Sequence, residues 1–282
     1  MKNQLFKTSS GRPATVDDLT AALREVGAHD CEILFMHAGL SFGMPNTALS
    51  RKELLGSMYE AISSLGVRTL CVPTFTFSFG NGEAYDVGAT ASRMGVLSEF
   101  IRKQPGAIRS VDPMMSVALI GENRELVTEI GHESCGRDCT FHKLSQRDGV
   151  KFLFLGVRAG DCFTYMHHLE WQAKVPYRYD RAFSGSIRAG GREYEDTYKL
   201  FVRYNGVRPN DGSYKYEDLM MERGVMKSAS FGDGLLECVS EKDAAPIYRD
   251  LLLKDPNFFI TQPFDPAKAD DTFEVQGVMV AM

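Results

Sequence analysis

Thr164-Tyr-Met-His167-His168-Leu-Glu170 is the stretch of this sequence whose residue types are best suited to chemistry. A helix brings positions three apart onto one face, which would set His167 beside Glu170. A carboxylate against an imidazole fixes its tautomer and raises its basicity, the preparation a general base needs. The same pair can also be a plain stabilising contact on a helix, and spacing alone does not separate the two. His168 is the second choice of base. A further stretch, His37-Ala38-Gly39-Leu40-Ser41-Phe42-Gly43, follows an apolar run and precedes a helix. Its glycines and serine can turn main-chain amides toward an anion, and the helix adds its positive end. A pyrophosphate suits such a turn, although an ordinary strand-to-helix connection has the same composition. Gly-Lys-Ser/Thr is absent, so the turn is not a phosphate-binding loop of that kind. Gly39-Leu-Ser41-Phe-Gly43 does match a hydrolase nucleophile motif, which would make Ser41 the nucleophile. Met44-Pro45-Asn46 then stands where that motif needs a helix.

Two weaker groups complete the inventory. Arg109 and Ser110, with Ser116, could meet phosphate or pantetheine, since a guanidinium forks onto phosphate oxygens. His132, Cys135, Cys139 and His142 have the residue types of a zinc site in a span too short for the usual separated ligand pairs, so no metal is expected.

These residues need a scaffold, and the apolar pattern supplies one. Residues 32–37, 69–73, 116–120 and 151–157 read as buried strands, being short, apolar runs bounded by glycine or polar residues. Residues 17–26, 50–65, 95–103, 124–130 and 164–173 read as helices; Ser50 and Glu53 form a capping box at the start of the second. Residues 75–91 read as a long loop and 104–113 as an irregular connector. After about residue 180 the alternation around Gly190-Gly191 signals a hairpin, with helices near 214–224 and 244–255. The expectation is an α/β fold: a central, mostly parallel sheet flanked by helices, with an antiparallel C-terminal addition. It is read as one domain over 1–282, with residues 1–180 as the core holding the donor site, 181–262 on the acceptor side and 263–282 as a tail.

Composition narrows the class. With 282 residues, 44% hydrophobic and 24% charged, the chain can bury a sizeable core. A net charge of -5 gives no general attraction for nucleic acid or anionic membrane. No apolar run is long enough to span a bilayer and no signal-peptide core opens the chain, so the cytoplasm is expected. The six scattered cysteines are then expected as reduced thiols.

Taken in order, several segments resemble the aminoglycoside 3-N-acetyltransferase family. They are Phe35-Met-His37-Ala-Gly-Leu-Ser41, Val72-Pro-Thr74-Phe-Thr76, Ser92-Arg-Met-Gly95-Val-Leu-Ser-Glu-Phe100, Pro105-Gly-Ala-Ile-Arg109-Ser110-Val-Asp112-Pro113-Met-Met-Ser116, Leu155-Gly156 and Thr164 to Glu170. The series runs from about Leu34 to Asp180 and more loosely to about Val239. The resemblance implies acetyl-CoA as donor and an amino-sugar amine as acceptor, with His167 and Glu170 catalytic. It places His37, Ala38, Gly39, Ser41, Gly43, Thr74, Arg109, Ser110 and Ser116 at the donor, and Asp86, His168 and Tyr177 at the acceptor. Asp112-Pro113 departs from the His-Pro of many members, and Cys139-Thr140 replaces Ser-Pro. Residues 75–91 and those after 185 match poorly, and such regions shape the acceptor pocket. Arg178, Arg181, Arg188, Arg192, Arg203 and Arg208 would form a positive patch suited to a diphosphate-linked amino sugar of surface-polysaccharide synthesis. A polycationic aminoglycoside, which calls for an acidic pocket, is the alternative acceptor. The oligomeric state is left open, a homo-oligomer included.

Overall fold

Ile33–Ala38 (β3), Thr69–Pro73 (β5) and Val150–Leu155 (β9) are nearly continuous apolar runs, buried along almost their whole length. Such strands belong in a sheet covered on both faces. In the computed structural model, which describes residues 3–272, β3 lies between β5 and β9 and runs parallel to both. Outward from these three every pairing is antiparallel. Val117–Gly121 (β8) joins β5, Ile108–Arg109 (β7) joins β8, Gly234–Ser240 (β13) joins β9, and Met226–Phe231 (β12) joins β13. The order is β12-β13-β9-β3-β5-β8-β7. The α/β class holds, but the expected parallel character is confined to the centre. β12 and β13 meet through Gly232-Asp233, and strands joined by a tight turn are antiparallel by construction.

Alternation along the central strands divides the interior in two. Leu34, Met36, Leu70, Val72, Leu153 and Leu155 point into one layer, and Ile33, Phe35, Cys71, Phe152 and Phe154 into the other. The first layer is covered by helices Val16–Glu25 (α1), Arg51–Ser63 (α2) and Val96–Arg102 (α3). Thr15 caps α1, and the Ser50–Glu53 capping box of α2 forms as expected. Short strands Gln4–Lys7 (β1), Pro13–Thr15 (β2) and Met44–Pro45 (β4) make a small sheet beside this layer. The second layer takes in Glu125–Thr128 (α4), Thr140–Leu144 (α5), Ala159–Cys162 (α6), Met166–Ala173 (α7), Gly212–Glu222 (α8) and Glu241–Lys254 (α9). It also receives the hairpin Arg178–Ala189 (β10) and Arg192–Arg203 (β11), turned at Gly190-Gly191, with Tyr85–Asp86 (β6) alongside. Residues 273–282 of the expected tail lie outside the described residues. Among those described, no helix is long and apolar enough to cross a membrane.

The turn after β3 is anchored from below. Phe42 is fully buried and meets Phe6 and Phe231 edge-on, at 5.4 and 5.0 Å between ring centres. Gly43 follows with φ at 111°, and a Cβ there would lie 2.5 Å from the Lys7 carbonyl oxygen, so the close approach requires glycine. Emptying the Phe42 site removes both aromatic contacts. Phe42→Ala is expected to lower stability by about 3–5 kcal/mol, measured by urea denaturation.

Candidate active site

The loop leaving β9 is fixed before it reaches the reactive residues. Glu237 on β13 accepts the Ala159 amide at 2.8 Å, and Glu217 on α8 accepts the Gly160 amide and the Arg158 guanidinium. Both carboxyl groups are buried. Burial pushes Glu237 up to about 7. Beyond this clamp the chain turns at Phe163 and starts α7, which presents His167 and Glu170 on one face.

Glu170 is the hub. Its Oε2 lies 3.0 Å from His167 Nδ1 and 2.9 Å from Arg178 Nη2, and its Oε1 accepts the Tyr177 hydroxyl at 2.8 Å. Arg178 Nη2 is also 3.2 Å from His167 Nδ1. An ionised carboxylate oxygen only accepts, so the Arg178 and His167 N–H groups both converge on Glu170 Oε2. That assignment puts the imidazole proton on Nδ1. It leaves Nε2 free, with no protein partner among the described residues. Despite burial, the Arg178 charge and the His167 bond hold Glu170 down at about 2. Burial and the Arg178 charge lower His167 below its ordinary value, against the opposing pull of Glu170. The imidazole is therefore neutral at pH 7.

His167 and Glu170 line a cleft of about 200 Å³. Gly160, Cys162 and Thr164 contribute from the loop, Arg178 and Arg203 from the ends of β10 and β11, and Asn210, Ser213, Tyr248 and Ile260 from the C-terminal part. His37, at the end of β3, is buried and stacked on Phe154, and its Nε2 lies 3.4 Å from the Thr164 hydroxyl. Burial holds it down at about 3. The turn after β3 thus begins within reach of the cleft wall. Gly39 gives its amide to the Leu155 carbonyl, while the Leu40 and Ser41 amides donate to no group among the described residues. Ala38 lies between, at the end of the strand.

Other expected site residues have different work. Arg109 is buried, and its guanidinium is spent on protein acceptors. Nε donates to the Thr74 and Ser116 hydroxyls, Nη1 to the Val87 and Thr90 carbonyls, and Nη2 to the Thr74 carbonyl. Ser116 Oγ donates to the Thr74 carbonyl, and Ser110 Oγ accepts the Val117 amide. Arg109, Thr74, Ser110 and Ser116 therefore brace β5, β7 and β8. Asp86 accepts the Gly88 and Ala89 amides and does not line the cleft. His168 is fully buried between the Cys135 carbonyl, at 2.9 Å, and the Gln172 amide, at 3.0 Å, which commits both ring nitrogens. Both its nitrogens thus have protein partners, and it does not line the cleft. Tyr177 reaches the site, but its hydroxyl serves Glu170. His132 pairs with Asp196, while Cys139 accepts the His142 amide. Of the arginine patch, Arg178 and Arg203 line the cleft, with Arg178 paired to Glu170, while Arg188 pairs with Glu193.

The cleft at the strand ends of this α/β sheet thus holds a neutral imidazole bonded to a buried carboxylate. The family model for aminoglycoside 3-N-acetyltransferases matches residues 54–252. Aminoglycoside N(3)-acetyltransferase VII of Streptomyces paromomycinus is 24% identical over 239 residues, 77% of this chain and 79% of that protein. AAC-IIIb in binary complex with CoASH shares the fold with a TM-score of 0.73 at 18% identity, covering 89% of this chain and 99% of that one. Sisomicin-bound AAC-VIa gives 0.70 at 17% identity, over 84% and 97%. The chain belongs to the aminoglycoside 3-N-acetyltransferase family, and is an N-acetyltransferase with acetyl-CoA as its donor.

Sequence reasoning missed Arg178 as a partner of Glu170. It also missed the β12–β13 hairpin, although Gly232-Asp233-Gly234 between partly alternating runs was the signal for it. The bracing role of Arg109 is directly testable. Arg109→Ala strands the Val87 and Thr90 carbonyls and is expected to cost about 2–4 kcal/mol of stability while leaving the acetyl-CoA KM unchanged. Thermal unfolding and initial-rate kinetics on the same variant check both halves.

Proposed function

We propose that the cleft acetylates a ring amine of an amino sugar, with His167 as general base. The observation that carries this reading is the Glu170–His167 bond through Nδ1, which leaves Nε2 available beside open space. An amine attacks only when neutral, and sugar ammonium groups are largely protonated near neutrality. As the nitrogen attacks the thioester carbonyl, its proton passes to Nε2, and Glu170 stabilises the resulting cation. The carbon–sulfur bond then breaks, and the departing CoA sulfur takes the proton back. The Leu40 and Ser41 amides are the donor-side groups suited to the CoA pyrophosphate, close to His37 and the cleft wall.

Between the two acceptors considered, the relatives' names support an aminoglycoside better than a nucleotide-linked sugar of polysaccharide synthesis. A cytoplasmic location goes with use of acetyl-CoA. Hydrolysis by Ser41 gains no support: its side chain is exposed and bonds to no base among the described residues. His167→Ala is expected to lower turnover by about 10²–10⁴. His168→Ala should retain near-normal turnover if it folds. A thiol-release assay with acetyl-CoA over a panel of amino sugars and aminoglycosides measures both. Undiminished turnover in His167→Ala would remove it as the base.

A further inference from the structure

Ala159 and Gly160 are successive residues whose amides meet two different buried carboxyl groups. Glu217 Oε2 takes the Gly160 amide and its Oε1 takes the Arg158 guanidinium, so both oxygens work as acceptors. Glu237 commits only Oε2, to the Ala159 amide, and its carboxyl group also meets that of Glu217. Two carboxyl groups bond one another only with a proton between them, and Glu237 Oε1 is the oxygen left to carry it. The segment so held is a wall of the cleft. Gly160 to Thr164 line it, and the Thr164 carbonyl takes the His167 amide at 3.1 Å. The fit against α8 is close, since a Cβ on Gly160 would lie 2.5 Å from the Tyr214 ring.

Little around Glu237 can offset a negative charge. The loop offers Arg158, which is half-exposed and already shared by Glu217 and Asp218. From α6 comes Cys162, kept neutral by burial, and from α8 comes Glu217 itself. The strand neighbours, Phe154 on β9 and Ser228 on β12, do not titrate. A proton lost from Glu237 therefore sets two buried carboxylates against each other. We infer that Glu237 is a positioning residue for the transfer reaction: protonated, it holds residues 158–164 and the start of α7 in the geometry the cleft needs, and its ionisation releases that wall. This rests on the acetyl-transfer reading of the cleft. Glu237 does not itself line the cleft, so it acts through the loop.

Glu237→Gln tests this, because the amide offers an acceptor to Ala159 and a donor to Glu217 at every pH. Turnover is measured by thiol release at saturating acetyl-CoA from about pH 6 to 8.5, and the variant's rate is divided by that of the unaltered protein at each pH. The quotient cancels the titrations of the amine and of His167. It is expected to be level near pH 6 and to rise about 3- to 10-fold with a midpoint at about 7, tenfold being one pKa unit of linkage. Hydrogen exchange of residues 158–164, corrected for the intrinsic effect of pH, should show protection falling over the same range in the unaltered protein and holding in Glu237→Gln. Melting temperatures carry the same sign. A carboxyl group raised on folding from 4.5 to about 7 costs stability increasingly across that interval, so the variant should gain on the unaltered protein as pH rises through it. A level quotient overturns the inference, and so does protection that does not change with pH in the unaltered protein. Lost protection beside a level quotient also overturns it, since the wall would then move without moving the base. If no amine releases thiol, the transfer reading fails, while exchange and melting still decide whether Glu237 governs this wall.

Discussion

A single buried carboxylate organises this site. Glu170 takes a bond from each of His167, Arg178 and Tyr177, drawn from one helix turn and from the segment that follows it. Breaking such a buried ion pair by removing one partner costs about 3–5 kcal/mol, so the arrangement is held firmly. Its charges nearly cancel, since one carboxylate faces one guanidinium and the imidazole stays neutral. Protonating His167 in the resting site adds an uncompensated charge, which Arg178 opposes. The same carboxylate that orients the ring then accommodates the cation while a proton is in transit. One geometry would thereby meet both requirements of the proposed base, being empty at rest and tolerant when loaded.

The rest of the fold delivers groups to that carboxylate. The parallel core β5-β3-β9 points the exits of β3 and β9 in the same direction, which brings His37 to the Thr164 hydroxyl. Glu217 and Glu237, from α8 and β13, clamp the β9 exit loop through consecutive amides. At the far end of α7, Lys174 adopts φ of 51° and the Val175 amide returns to the Glu170 carbonyl. This left-handed helix stop reverses the chain so that Tyr177 and Arg178 reach the Glu170 side chain.

Local signals were legible in the sequence, whereas partners were not. The capping box of α2, the apolar strands β3, β5 and β9, the Gly190-Gly191 hairpin and the His167–Glu170 pair all follow from spacing within a few residues. Arg109 shows the limit. Beside Ser110 it looks like a phosphate ligand, and only packing reveals that Thr74, Val87 and Thr90 surround it. Arg178 has the same difficulty, because its meeting with Glu170 depends on the turn at Lys174. His168, next to His167, differs from it in facing Cys135 and Gln172. The sheet was read as too parallel partly because Lys227, Ser228 and Ser230, exposed polar residues within Met226–Phe231, hid a strand.

The central claim is that His167 rests as a neutral imidazole with its proton on Nδ1. Nitrogen-15 NMR of histidine-labelled protein reads tautomer and titration together, with His167→Ala used to assign the resonances. The account predicts an Nδ1–H tautomer at pH 7 that titrates below 6.5, its ordinary value, because burial and Arg178 disfavour the cation. An Nε2–H tautomer, or a midpoint above neutrality, would contradict it.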